Sequence, residues 1–182
     1  MKTPRILPCS VLAVGLVAVL STATASAAQP QASASARATT EFVQSEKFTD
    51  FRDSVMETDK GRAALEERFS THVAKLGEQY LPEGQRLEIR FTNIDLAGDF
   101  EPWRGPEFDD IRILKDLYAP RMELEYRLVD TQSGAVIRQG TEKLSNMSYM
   151  MSALPINTNE SLRHDFELLT NWVRREFRKE SK

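Results

Sequence analysis

The sequence predicts an α+β domain of two layers, a mixed and mostly antiparallel sheet of about four strands carrying two amphipathic helices on one face. The helices show in two runs of apolar residues spaced by three or four: Leu65, Phe69, Val73, Leu76 and Tyr80, then Leu162, Phe166, Leu169, Trp172 or Val173, and Phe177. That spacing places each set on one helical face. The sheet shows in two alternating runs. Leu87, Ile89 and Phe91 alternate with Glu88, Arg90 and Thr92, and Met122, Leu124, Tyr126 and Leu128 alternate with Glu123, Glu125 and Arg127. A period of two marks a half-buried strand.

In chain order, a short strand is expected near Thr40, through Glu41, Phe42 and Val43, followed by a loop over residues 47–54. The first helix starts at a cap on Thr58 or Asp59 and stops at Leu81-Pro82-Glu83-Gly84, with Gly61 weakening its first turn. The second strand extends from Leu87 to about Leu96. Residues 97–110 contain two glycines, two prolines and five acids, so they read as a loop. Residues 111–118 fit strand or helix equally well until Ala119-Pro120 interrupts them. The strand of Met122 follows, then turn chemistry over residues 130–134 and a more polar edge strand over residues 136–144. Beyond the irregular segment 145–158, Asn157 or Asn159 can cap the second helix, whose last turn holds Arg174, Arg175, Arg178 and Lys179. The order is β-α-β-β-β-α. If a right-handed crossover joins the first two strands, they run parallel. The loops after them, with Asp50 and Asp53 in one and residues 95–110 in the other, then share one end of the sheet with residues 145–152.

The first twenty-seven residues read as an export signal. Lys2 and Arg5 precede an apolar run from Ile6 to Leu20, and Ala25-Ser26-Ala27 offers a small-residue cleavage site. The run is short for a membrane span, so cleavage after Ala27 and a periplasmic destination are expected. Residues 28–39, rich in Ala, Ser and Gln, are expected to be disordered, and residues 40–180 to form one domain. The only cysteine, Cys9, lies inside the signal, so disulfides and thiol chemistry are excluded from the mature chain. Cys9 also precedes most of the apolar run, which does not suit a lipid-attachment site. Losing Lys2 and Arg5 moves the formal charge from −3 to about −5. A chain this acidic lacks the basic face that nucleic acid requires. No second apolar run reaches spanning length.

Four segments resemble one family. They are Lys47-Phe48-Thr49-Asp50, Leu81-Pro82 with Gly84-Gln85 and Leu87, the run from Asp95-Leu96-Ala97-Gly98 through Phe100-Glu101-Pro102-Trp103, and Asn171-Trp172-Val173-Arg174-Arg175-Glu176-Phe177. Together they are similar to the domain of unknown function numbered 3016, a set of small exported proteobacterial proteins. The resemblance implies a periplasmic address and one compact domain. It implies no activity and therefore no catalytic residues.

The chain has no G-x-S-x-G elbow, no H-E-x-x-H, no phosphate-cradling glycine loop and no dinucleotide fingerprint. Its two histidines, His72 and His164, belong to different helices and read as ordinary helix residues. Asp95, Asp99, Glu101, Asp109 and Asp110, together with Glu107, supply the hard oxygens that calcium favours, though not at EF-hand spacing. The alternative is a solvated acidic loop with Arg104 and Arg112 as counter-ions. Met147, Met150 and Met151 are either soft copper ligands or fillers of core gaps. Trp103, on a stiff Pro- and Gly-flanked loop, either anchors a partner or folds back as a lid on the sheet.

The expectation is a non-enzymatic, cofactor-free domain. It would bind an envelope protein through an edge formed by Trp103, Asp99, Glu101, Arg104 and Asp50, with the acids suiting a cationic surface. The alternative is a calcium- or copper-binding protein, or a metal-assisted hydrolase using the same carboxylates.

Overall fold

A computed structural model describes residues 36–108, 110–151 and 160–177. Its main sheet has the strand order β1 (Ala38–Phe42), β2 (Gln85–Asp95), β5 (Arg121–Asp130) and β6 (Val136–Ser145). β1 pairs parallel with β2, while β2–β5 and β5–β6 are antiparallel. A separate two-residue ladder joins β3 (Asp99–Phe100) to β4 (Arg112–Ile113). Helices α1 (Asp59–Tyr80) and α2 (Arg163–Phe177) cover one face of the main sheet. The fold is the expected α+β arrangement.

Local chemistry sets the ends of α1. The Thr58 hydroxyl accepts a hydrogen bond from Gly61 N at 3.0 Å, satisfying one of the free amides of the first turn. Pro82 follows the Leu81 cap. Gly61, a weak helix former, has a packing reason to be there: a Cβ at this position would lie 2.2 Å from the Asp53 carboxylate. The first strand begins at Ala38, two residues before Thr40, because Ala38 pairs with Leu87 and packs against Gly77 of α1. Most of residues 28–39, Asn157 and Asn159, and Arg178 and Lys179 lie outside the described residues.

The alternating residues divide between the faces as their period requires. Leu87, Ile89, Phe91, Met122, Leu124, Tyr126 and Leu128 are buried under the helices. Phe69 of α1 is the hub, meeting Phe51, Phe91 and Phe166 edge-on with ring centroids 5.6, 5.8 and 5.3 Å away. Burying each such ring contributes about 1.5–3 kcal/mol. Trp172 is also core, packed edge-on against Tyr126 and Phe177. The uncovered face carries cross-strand ion pairs instead. Arg90 reaches Glu41 and Glu125, Arg127 reaches Glu88, and Lys143 reaches Glu123.

Parallel pairing of β1 with β2 brings their following loops together. Asp50 forms a parallel bridge with Asp95, with Asp50 N donating to Ile94 O and Leu96 N to Asp50 O. The segment after β6 returns to the same end, where Asn146 N donates to Pro120 O. The expected meeting of three loops at one rim is therefore present.

Candidate functional site

Gly98 begins the rim. With φ at +80° it turns the chain out of β2, and a side chain there would meet Ile113 O at 2.8 Å. The turn delivers Asp99 and Phe100 to β4. Phe100 is buried, with Arg112 stacked over its ring at 4.6 Å and Arg52 at 5.5 Å.

These guanidinium groups are matched closely. Arg112 Nη1 donates to Asp50 Oδ2 at 2.6 Å and to Gly98 O at 2.8 Å, and Nη2 donates to Arg52 O at 2.8 Å. Arg52 bridges two acids, donating from Nε to Asp50 Oδ1 at 2.9 Å and from Nη2 to Asp99 Oδ1 at 3.2 Å. Asp50 is thus consumed in holding the loops. Asp95 stands beside it, and burial together with the Asp50 charge raises its carboxyl above the usual range. Arg121 is 3.9 Å from Asp95.

One residue further on, Glu101 faces inward and is almost wholly buried. Its carboxylate receives Lys115 Nζ and the Tyr118 hydroxyl, the latter at 2.9 Å, and Arg104 Nε lies 2.7 Å from Oε2 without hydrogen-bond alignment. Lys115 dominates in holding the carboxyl below its usual range, and the same carboxylate raises the Tyr118 hydroxyl. Lys115 O in turn accepts from Tyr149 Oη at 2.7 Å, tying in the segment after β6.

From this anchored base, Pro102 starts a single 3₁₀ turn over Pro102–Arg104. Trp103 on that turn is 71 % exposed. It is not a lid. The inward pull on Glu101 leaves the next side chains facing out, and Arg104 leans over Phe108 at 5.8 Å.

The binding set therefore separates by role. Trp103 is presented outward, Arg104 is half-exposed but turned back to Glu101, Asp99 is part-exposed and ion-paired, and Asp50 and Glu101 are structural anchors. In the metal set, Asp110 is exposed, Asp95 adjoins Asp50, and Asp109 lies outside the described residues. Among the described residues no three acidic, histidine or cysteine side chains gather to hold a metal ion. Met147, Met150 and Met151 are exposed at 59, 46 and 87 %, so they fill no core gap. His72 stacks on Phe166 and shares a hydrogen bond with Thr170, while His164 is buried against Tyr149.

One buried acid was not singled out by the sequence. Asp165, in the first turn of α2, is fully buried and accepts from Ala97 N at 3.0 Å, while its Oδ2 has no partner among the described residues. Burial pushes its carboxyl up to about 7. It clamps α2 to the end of β2. Its only advance signal was an acid one residue before an apolar stripe position.

The family model described as Protein of unknown function (DUF3016) matches residues 36–175, from just before β1 into α2. The chain belongs to the DUF3016 family. No curated protein and no solved structure matches it. Of the four segments that resembled the DUF3016 pattern, Lys47–Asp50 and Asp95–Trp103 meet at this rim, and Asn171–Phe177 lies in α2. Among the described residues of this DUF3016 chain, no helix is long and apolar enough to cross a membrane.

Proposed function

We propose that this is an exported, non-enzymatic binding domain whose contact surface is the Trp103 loop, and that its partner is a protein of the bacterial envelope. The export reading rests on the residue 1–27 pattern. The binding reading rests on one observation: Trp103 is 71 % exposed on a loop whose base is fixed by the buried Glu101. Exposing an indole on a mobile loop would waste binding energy on ordering it. On an anchored turn it gives a large contact area with little entropy left to lose.

The surroundings favour a cationic partner surface. Arg104 and Lys115 are already turned to Glu101, whereas Glu107 and Asp110 are exposed acids on the same loop. Such charges guide encounter and orientation, and the indole supplies most of the affinity.

Affinity capture from an envelope extract tests this with the unaltered protein, Trp103→Ala and Leu117→Ala. Leu117 is equally exposed, at 75 %, but lies on a different turn. Loss of one specific protein from the Trp103→Ala eluate alone supports the reading. Identical eluates from all three would remove it.

A further inference from the structure

The two edges of the main sheet differ. β1 has five residues, and α1 lies beside it through the Thr40–Ser70 hydroxyl contact and the packing of Ala38 on Gly77. β6 has ten residues and is last in the strand order, with no described strand on its outer side. Val136 and Ile137 are 42 and 50 % exposed on it. Unpaired strand edges are templates for another strand, and proteins generally blunt them.

The charges on β6 are arranged in a way that selects one partner. Its pairing with β5 places Arg138, Gly140, Glu142 and Leu144 on the helix-covered face, opposite Leu128, Tyr126, Leu124 and Met122. Arg138 is held in position: it donates to Glu176 O at 3.1 Å and to the Glu176 carboxylate and lies over the Tyr126 and Phe177 rings, yet its side chain stays 44 % exposed at the edge. Glu142, two positions beyond Gly140 on the same face, is half-buried and has no ion pair among the described residues.

We propose that β6 is the interface of a symmetric dimer, in which two copies of this chain pair antiparallel with the two-fold axis at Gly140. Only an even-residue register keeps each side chain on its own face. With the axis at Gly140, Arg138 of one copy faces Glu142 of the other, and this pair occurs twice. Gln139 faces Thr141, and the regular pairing ends at the bulge of Ile137. Sliding by two residues places Arg138 against Gly140 or Leu144, losing both ion pairs. The cations of the strand discourage strands lacking the matching carboxylate, and the bulge at Ile137, where Leu128 pairs with Arg138 and Val129 with Val136, confines the pairing to the residues beyond it. The result is a continuous eight-stranded sheet, an isologous interface closed by its own symmetry. This interface is independent of the Trp103 loop.

Sedimentation equilibrium of the purified protein across a concentration series tests the association. A dimer is expected, with Glu142→Arg shifting the dissociation constant upward by at least tenfold while its circular dichroism is unchanged. The register is read by cross-linking in a Cys9→Ser background. A mixture of Gln139→Cys and Thr141→Cys chains should form a disulfide-linked dimer on oxidation, and neither alone should, because like positions lie too far apart for a disulfide. A monomer at every concentration, a dimer indifferent to Glu142→Arg, or equal cross-linking of the single variants would overturn the proposal.

Discussion

Arg112 closes on Asp50 across 62 residues of chain, with Nη1 2.6 Å from Oδ2 and both side chains largely removed from solvent. The same guanidinium covers Phe100 and binds two backbone carbonyls. One side chain thereby joins the loop after β1, the turn at Gly98 and β4.

Removing that side chain leaves Asp50 largely buried with only Arg52 as counter-ion. Arg112→Ala is expected to destabilise the fold by about 2–4 kcal/mol, below the cost for a fully buried pair because both groups retain some exposure. Urea denaturation followed by circular dichroism measures it. Arg112→Ala combined with Asp50→Ala should cost less than the sum of the single changes.

Asp165 sets a pH dependence of the opposite sense to ordinary acid denaturation. Its carboxyl is raised to about 7, so the folded protein holds this proton more tightly than the unfolded chain, where the reference is 3.8. The stabilisation is complete below 3.8 and is lost as pH rises through about 7. Asp165→Asn keeps an acceptor for Ala97 N and carries no charge. The stability difference, variant minus unaltered protein, should therefore rise from acid to neutral pH by an amount of the order of a few kcal/mol. Urea midpoints at several pH values give the difference directly.

Gly98 and Gly134 have similar positive φ, +80° and +71°, but different surroundings. A methyl group at Gly98 meets Ile113 O at 2.8 Å, whereas one at Gly134 meets nothing within 4 Å. Both alanine variants carry the left-handed backbone penalty, about 1 kcal/mol or somewhat more. Gly98→Ala should lose further stability from the clash, and the gap between the two thermal midpoints measures it.

Side-chain period made the helices and the strands β2 and β5 legible in the sequence, because each bears many residues against one core. Phe69 and Leu87 declare their faces without any tertiary knowledge. Parallel pairing of β1 and β2 was enough to bring Asp50 next to Asp95. The β3–β4 ladder was not legible, since two residues per strand establish no period. Glu101 looked like every other acid of its loop because the groups that bury it, Lys115 and Tyr118, lie 14 and 17 residues away. Asp165 was hidden in the same way, with its donor Ala97 N 68 residues distant. Whether Trp103 folded down or faced outward depended on that hidden anchor at Glu101. Local sequence left both outcomes open.

The role of Trp103 is tested most directly by ¹⁹F NMR of the protein labelled with 5-fluorotryptophan. Its two resonances report Trp103 at the rim and Trp172 in the core, and are assigned by the signal missing from Trp103→Phe. On titration with the captured envelope protein, the Trp103 resonance should shift or broaden while that of Trp172 stays in place. A Trp103 signal unchanged at saturation would contradict the account.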